Sequence, residues 1–331
     1  MRTTQINYLN IGLMIVSATA AYVVPFHLFL FSYAVLGPLH YLTEINWLHK
    51  RRYFTSGKYD YVLFIGVGVL LFMAGFPLRE VFGNWGTAFV FIAFTGALAF
   101  VLFKKAMPRV LSFMFIIFGA FIIQQEQYHF STVFFSVMLP TIIHVFLFTG
   151  AFILFGALKG NSNSGYFSGV VFLACALSFF VFVPEGGPWF NENYVLKAYK
   201  DFAIVNVELS RVLPVPVLQS TVESIYFSTT GLMIMRFIAF AYTYHYLNWF
   251  SKTSIIKWHA VKQKTLFITL GLWVVSIGWY LYDYHSGLIA LYFLSFLHVL
   301  MEFPLNYRSF IGIGQELGVR WFGVKTAVAK R

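Results

Sequence analysis

Apolar runs near or above the ~20 residues needed to cross a hydrocarbon core recur from Asn7 to about Phe303, separated by short polar or basic links. The pattern predicts ten helices, at about 6–24, 25–48, 60–79, 86–103, 110–124, 131–158, 165–183, 226–250, 265–282 and 287–303. The expected fold is therefore all-α, a polytopic transmembrane bundle of about ten spans. No low-complexity tract or linker divides the chain, so residues 1–331 are read as a single integral membrane domain. The first run lacks a small-residue cleavage site and passes almost directly into the second, which predicts a retained helix rather than a removed signal peptide. One long link, 184–224, opens with Glu185, Gly186, Gly187, Pro188 and Trp189. Its Leu196, Phe202, Val205 and Leu209 are at loosely helical spacing. A short interfacial helix capping the membrane surface suits that pattern, and a lid over a substrate site is the alternative.

Composition agrees with the pattern: 59% of the 331 residues are hydrophobic and 11% charged, where a soluble domain carries about a quarter charged residues. That leaves no room for a sizeable soluble domain. The net charge of +11 does not mark a nucleic-acid protein, because Lys and Arg fall in the links and the C-terminus rather than on a basic face interleaved with exposed aromatics. Lys50, Arg51, Arg52 and Lys58 follow the second helix, Lys104, Lys105 and Arg109 the fourth, and Lys159 the sixth. Lys252, Lys257, Lys262 and Lys264 follow the eighth, and the tail carries Arg308, Arg320, Lys325, Lys330 and Arg331. With ten spans all of these fall on one side, which the positive-inside rule makes cytoplasmic. Both termini are then cytoplasmic, and a bacterial inner membrane is the expected location. Cys175 is the only cysteine, so any metal must be held by His, Asp or Glu.

Of nine histidines, His27, His49, His129, His259 and His285 sit near expected helix ends, where an amphipathic ring needs no function. The other four, His40, His144, His245 and His298, lie deep in the second, sixth, eighth and tenth helices, all running from outside to inside. They are ten, fifteen, seven and ten residues from Lys50, Lys159, Lys252 and Arg308. At 1.5 Å per residue the spread in depth is about 12 Å, so the four rings could meet in the inner half of the bundle. Two of them begin a shared pattern, His40 with Glu44 and His298 with Glu302, which stacks each pair on one helix face. A carboxylate within a membrane helix needs a partner or a cation. Imidazole suits iron, zinc or copper, and a ligating imidazole commonly gives its other N–H to a carboxylate. Glu44 and Glu302 are thus expected to support a histidine of another helix or to act as further ligands. A lone membrane histidine otherwise hydrogen-bonds across a helix interface. Pro38 and Pro140, each within about a turn of a deep histidine, free backbone carbonyls at that depth, as ordinary kinks also do. Arg236, in the middle of the eighth helix, is expected to meet a carboxylate or water inside the bundle. The many Phe and Tyr residues suit either an aromatic tunnel for a polyene or simple contact with lipid.

Laid out in order, these segments resemble the Brp/Blh family of membrane β-carotene dioxygenases. Gly37-Pro38-Leu39-His40 with Glu44 is similar to that family's Gly-Leu-Pro-His motif and downstream Asp. Ile142-Ile143-His144 is similar to its Ile-Ile-His motif, Tyr244-His245 to its third motif, and His298 to Glu302 to its last. Pro and Leu stand in swapped order, Glu replaces Asp, the acidic residue after His144 is missing, and Trp249 stands where a second histidine would follow His245. The likeness covers short patches of four helices. It implies iron held by His40, His144, His245 and His298, and a carotenoid-like substrate.

The reading is therefore a membrane metalloprotein with a non-haem Fe(II) site, acting, if it is an enzyme, as an oxygenase on a lipid-soluble carotenoid-like molecule. Two others stand beside it. His27 and His40, and likewise His285 and His298, are thirteen residues apart, as two stacked bis-His haem b groups would need. A transporter or a structural subunit of a membrane complex would use the buried His, Glu and Arg236 as a proton or substrate path. Di-iron desaturase chemistry is disfavoured because no HxxxH or HxxHH cluster occurs.

Overall fold

The computed structural model describes residues 3–51, 61–75, 85–103, 105–126, 132–184, 192–252 and 261–323. His129, His259, Arg52, Lys58, Lys104, Lys257, Lys325, Lys330, Arg331 and the 185–189 stretch lie outside them. No strand occurs among the described residues. In chain order the helices are α1 (Thr3–Val23), α2 (Pro25–Phe31), α3 (Gly37–Arg51), α4 (Tyr61–Gly75), α5 (Gly86–Leu102), α6 (Ala106–Glu126) and α7 (Thr149–Gly160). They continue with α8 (Asn163–Val181), α9 (Glu192–Tyr199), α10 (Ala203–Val212), α11 (Thr229–Ser251), α12 (Gln263–Tyr282) and α13 (Tyr284–Phe322). All ten expected apolar segments are helical. Seven are long and apolar enough to cross a membrane, Gly86–Leu102 is apolar but shorter, and the protein is an integral membrane protein.

Besides the shorter α4 and α5, α11 is absent from those seven, and it explains the arrangement. At 23 residues α11 is long enough, but Arg236, His245 and Asn248 make it too polar, and 17 of its residues are buried. It is the axis of the bundle, shielded from lipid by its neighbours, whereas α6 and α12 turn Phe115 and Phe267 outwards at more than two-thirds exposure. Lipid rewards apolar surface on the periphery, and polar side chains survive only where other helices cover them. Asn10 of α1 accepts hydrogen bonds from Tyr244 and Ser251 of α11, both at 3.1 Å, and holds the axis to its sheath.

Side-chain pairs fix the relative directions. Ser32 meets Thr243 and Thr43 meets Trp249, so the second segment runs parallel to α11. Tyr33 packs on Tyr292 and His40 faces His298, so α13 runs with them. Phe148 lies against Phe310, and Arg320 donates to the Leu158 carbonyl, which makes the sixth segment parallel to α13. Asn7 bonds Ser164 and Tyr22 bonds Ser178, which aligns α1 with α8. Asn10 with Ser251, and Tyr22 under the Arg236 guanidinium, set α1 antiparallel to α11. The four histidine-bearing segments thus share one direction.

Three departures have physical reasons. The second and sixth segments are not regular α-helices: Ser32–Leu36 and Thr132–Phe148 wind as wider π-helix. Pro140 lies inside the latter, where it removes an N–H and crowds the preceding turn. The last helix does not end near residue 303 but runs 39 residues, roughly 58 Å, about twice a hydrocarbon core. Its extension is held by packing, with Gly312 seated against Phe155 and Arg320 bonded to Tyr166 and Leu158. In the long link, α9 and α10 bury Val195, Tyr199, Phe202, Val205 and Leu209, while π-helical Glu223–Phe227 buries Ile225 and Tyr226. Tyr199 and Tyr226 pack on Phe26, at the N-terminal end of α2.

In the α12–α13 hairpin the two backbones approach closely: a Cβ on Gly287 would stand 2.5 Å from the Tyr280 Cα. Gly287→Ala is expected to cost about 1–3 kcal/mol of stability, read as a lowered thermal midpoint in detergent. Gly271→Ala, which adds a methyl where nothing lies within 4 Å, should leave the midpoint unchanged.

Candidate metal centre

His40 comes from α3, His144 from the π-type segment, His245 from α11 and His298 from α13. Each ring is between 1% and 5% exposed, and Glu44 and Glu302 are at 2%. The ring centroids of His40 and His144 each stand 4.8 Å from those of His245 and His298, while His245 and His298 are 6.3 Å apart. The four imidazoles therefore form a closed ring of neighbours, with His245 and His298 facing each other across it. Inside it the His40 Nε2 lies 3.1 Å from the His298 Nε2 and 3.2 Å from the His245 Nε2. Neighbouring nitrogens held 2.0–2.2 Å from one ion at right angles would be roughly 3 Å apart.

The carboxylates close on the same atoms. A Glu44 oxygen is 3.1 Å from the His40 Nε2 and 3.7 Å from the His298 Nε2. A Glu302 oxygen is 3.4 Å from the His144 Nε2 and 3.7 Å from the His298 Nε2. Each carboxylate thus meets a histidine of another helix, as expected, and each also meets the histidine four residues before it on its own helix, which was not. Both address the inward Nε2 atoms and not the outer N–H groups, which makes them further ligand candidates. Two groups result that could each hold a metal ion, His144, His245, His298 with Glu302, and His40, Glu44 with His298.

The outer nitrogens have other partners. His298 Nδ1 lies 3.0 Å from the Ser295 carbonyl, which can only accept, so Nδ1 carries the proton and the inward Nε2 presents a lone pair. His245 Nδ1 is 2.8 Å from the Thr149 hydroxyl. Lone pairs of imidazole and carboxylate then point at one another from several sides. A single proton relieves only one such contact, and a cation relieves them all. The His144 Nε2 and one Glu302 oxygen are buried with no hydrogen-bond partner among the described residues, as ligand atoms lacking their ion would be. The donor set fits a metal.

Arg236 is not part of this site. It is buried at 2% exposure with its guanidinium over the Tyr22 ring at 5.4 Å, and its Nε and Nη1 have no hydrogen-bond partner among the described residues. The expected carboxylate is replaced by an aromatic face, worth about 0.5–2 kcal/mol. A porphyrin also finds no place between His40 and His298, whose Nε2 atoms are 3.1 Å apart. His27 instead stacks near Tyr194.

A cavity of about 350 Å³ touches His40, Glu44, His245 and Glu302 at one end and reaches Thr3 and Asn7 at the other. No residue of the 192–223 cap lines it, so the cap is not its lid. On the cap side Phe29, Tyr33, Phe202, Tyr242 and Tyr292 pack ring against ring, filling the space an aromatic tunnel would need.

Thr149 and Ser295 were not singled out from sequence. Thr149 could have been, as a hydroxyl directly behind the His144 segment, whereas Ser295 acts through a backbone carbonyl that no sequence pattern reveals. Comparison with family models, curated proteins and solved structures found no match, so the geometry carries the functional reading.

Thr149→Val removes the hydroxyl behind His245 at nearly constant volume. Metal affinity in a chelator competition is expected to fall about 10–100-fold with the fold intact. Arg236→Met, which deletes a buried charge without an ion-pair partner, should leave the thermal midpoint equal to or above that of the wild type.

Proposed function

We propose that the protein is a membrane oxygenase that holds one non-haem Fe(II) through His40, His144, His245 and His298 and acts on a lipid-soluble, carotenoid-like unsaturated chain. The observation that carries this reading is the packing of four buried imidazoles and two buried carboxylates into two adjoining groups that share His298 and could each hold a metal ion. Four nitrogens with up to two oxygens favour a six-coordinate ion over tetrahedral zinc, and the cluster contains no cysteine, so it is not a thiolate centre. Iron in such a site would supply the activation of dioxygen. The chain's own residues do the remaining work: Ser295 and Thr149 hold two imidazoles in orientation, and the aromatic packing toward the cap excludes water. Glu44 and Glu302 face the cavity, where an apolar chain would lie against the cluster. The resemblance to the Brp/Blh family supports the same reading.

The topology belongs to the proposal too. Lys252 lines the cavity together with Thr3, and Arg320 bonds to Leu158 next to Lys159. These basic residues and the N-terminal helix therefore share one end, which favours cytoplasmic termini by the positive-inside rule; a bacterial inner membrane is the location we propose. A transport role would use the same buried groups, and metal content separates the two.

Purified protein is expected to contain stoichiometric iron and to consume oxygen while bleaching an added polyene. His40→Ala and His298→Ala should each lose both iron and bleaching. No bound metal in the wild type, or an unchanged metal content in both variants, would rule the reading out.

A further inference from the structure

We infer that the cavity beneath the cluster takes a single-chain amphiphile with a carboxylate head, and that Lys252 binds that head. This rests on the metal reading and specifies its substrate class.

Lys252 follows α11 immediately and lies two helical turns from His245, on the same face. It lines the cavity and interacts electrostatically with Glu44 and Glu302, but no carboxylate among the described residues is within ion-pairing distance of it. The charges near the cavity therefore do not cancel once the site is filled. A divalent ion is balanced by Glu44 and Glu302, the imidazoles are neutral, and the half-buried ammonium of Lys252 remains as one positive charge lining the cavity without an ion-pair partner among the described residues. An ammonium so placed favours an anionic group in the cavity over a neutral one. An anionic head group meets that preference.

The rest of the lining selects the ligand's shape. Phe152, Ile153 and Leu305 provide apolar wall, and Asn10 and Asn248 add polar groups close to Lys252. A mostly apolar pocket with a few convergent polar groups is the usual form of a site that fixes one end of an apolar ligand. At about 350 Å³ it suits one chain rather than a two-chain lipid. A pure hydrocarbon would leave Lys252 unanswered. With the head at Lys252, the carbons facing His40 and His245 lie within about 10 Å of it, two helical turns away. The lysine would thus set which bond is presented to the metal.

Trp47 and Trp249 also line the cavity and report on it directly. Iron-loaded protein in detergent is titrated with bromolauric acid and with the corresponding brominated alcohol, reading quenching of tryptophan fluorescence. Iron is measured on every sample. The acid is expected to bind at least about tenfold more tightly than the alcohol. The ratio should fall to about one in Lys252→Met, with the alcohol unaffected, and persist in Lys252→Arg. Equal affinities in the iron-loaded wild type, an acid preference that survives Lys252→Met, or quenching that is undiminished in a Trp47→Phe, Trp249→Phe double variant would overturn the assignment. A sample without iron that still prefers the acid through Lys252 fails the metal reading and keeps the head-group assignment. An iron-loaded sample without preference does the reverse.

Discussion

Six ionisable groups are buried at the centre of this bundle, each at most 5% exposed, and their compensation by one another governs the surrounding structure. An imidazole or carboxylate at this depth must face a partner, so four helices from distant parts of the chain have to bring their polar positions to one level. The parallel run of those four segments follows from that requirement. So does the position of α11, whose His245 and Arg236 could not face lipid and which is therefore the helix most completely wrapped by others. The wide winding at Ser32–Leu36 and through His144 falls on two of the four contributing segments. Such irregular winding recurs at functional sites because it re-aims side chains that a regular helix would point elsewhere.

Much of this could be read from the chain. Apolar length located the helices, because a hydrocarbon core imposes a minimum span and forbids irregular backbone facing lipid. Parity then put His40, His144, His245 and His298 on helices of one direction, and the spacing of His40 with Glu44 and His298 with Glu302 announced which carboxylates accompany them. What stayed hidden depends on three-dimensional neighbours. That His298 bonds a backbone carbonyl, or that Arg236 rests on Tyr22 instead of a carboxylate, is decided by packing between segments whose sequences carry no mark of it. The length of α13 was hidden for a similar reason: beyond Glu302 its hydropathy falls, and contacts with Phe155, Leu158 and Tyr166 keep it helical. Lys252 was legible as a topological charge but not as a cavity residue, although its spacing of seven from His245 puts both on one face.

The same spacing makes the site two-sided. Glu44 and Glu302 each follow their histidine by four residues, and the two helices run the same way, so both carboxylates fall on the same side of the histidine layer. The cavity lies on that side as well, touching both carboxylates and two of the four rings, and opens toward Thr3, Asn7 and Lys252. The other side is closed by aromatic rings continuous with the cap, from Tyr33 and Tyr242 through Phe29 and Phe202 to Tyr199. A metal held among the four imidazoles would therefore meet incoming molecules from the carboxylate side, where the cavity lies. This asymmetry gives the cap a structural task, sealing the bundle, and leaves selection of what reaches the metal to the short polar stretch between Glu44, Glu302 and Lys252.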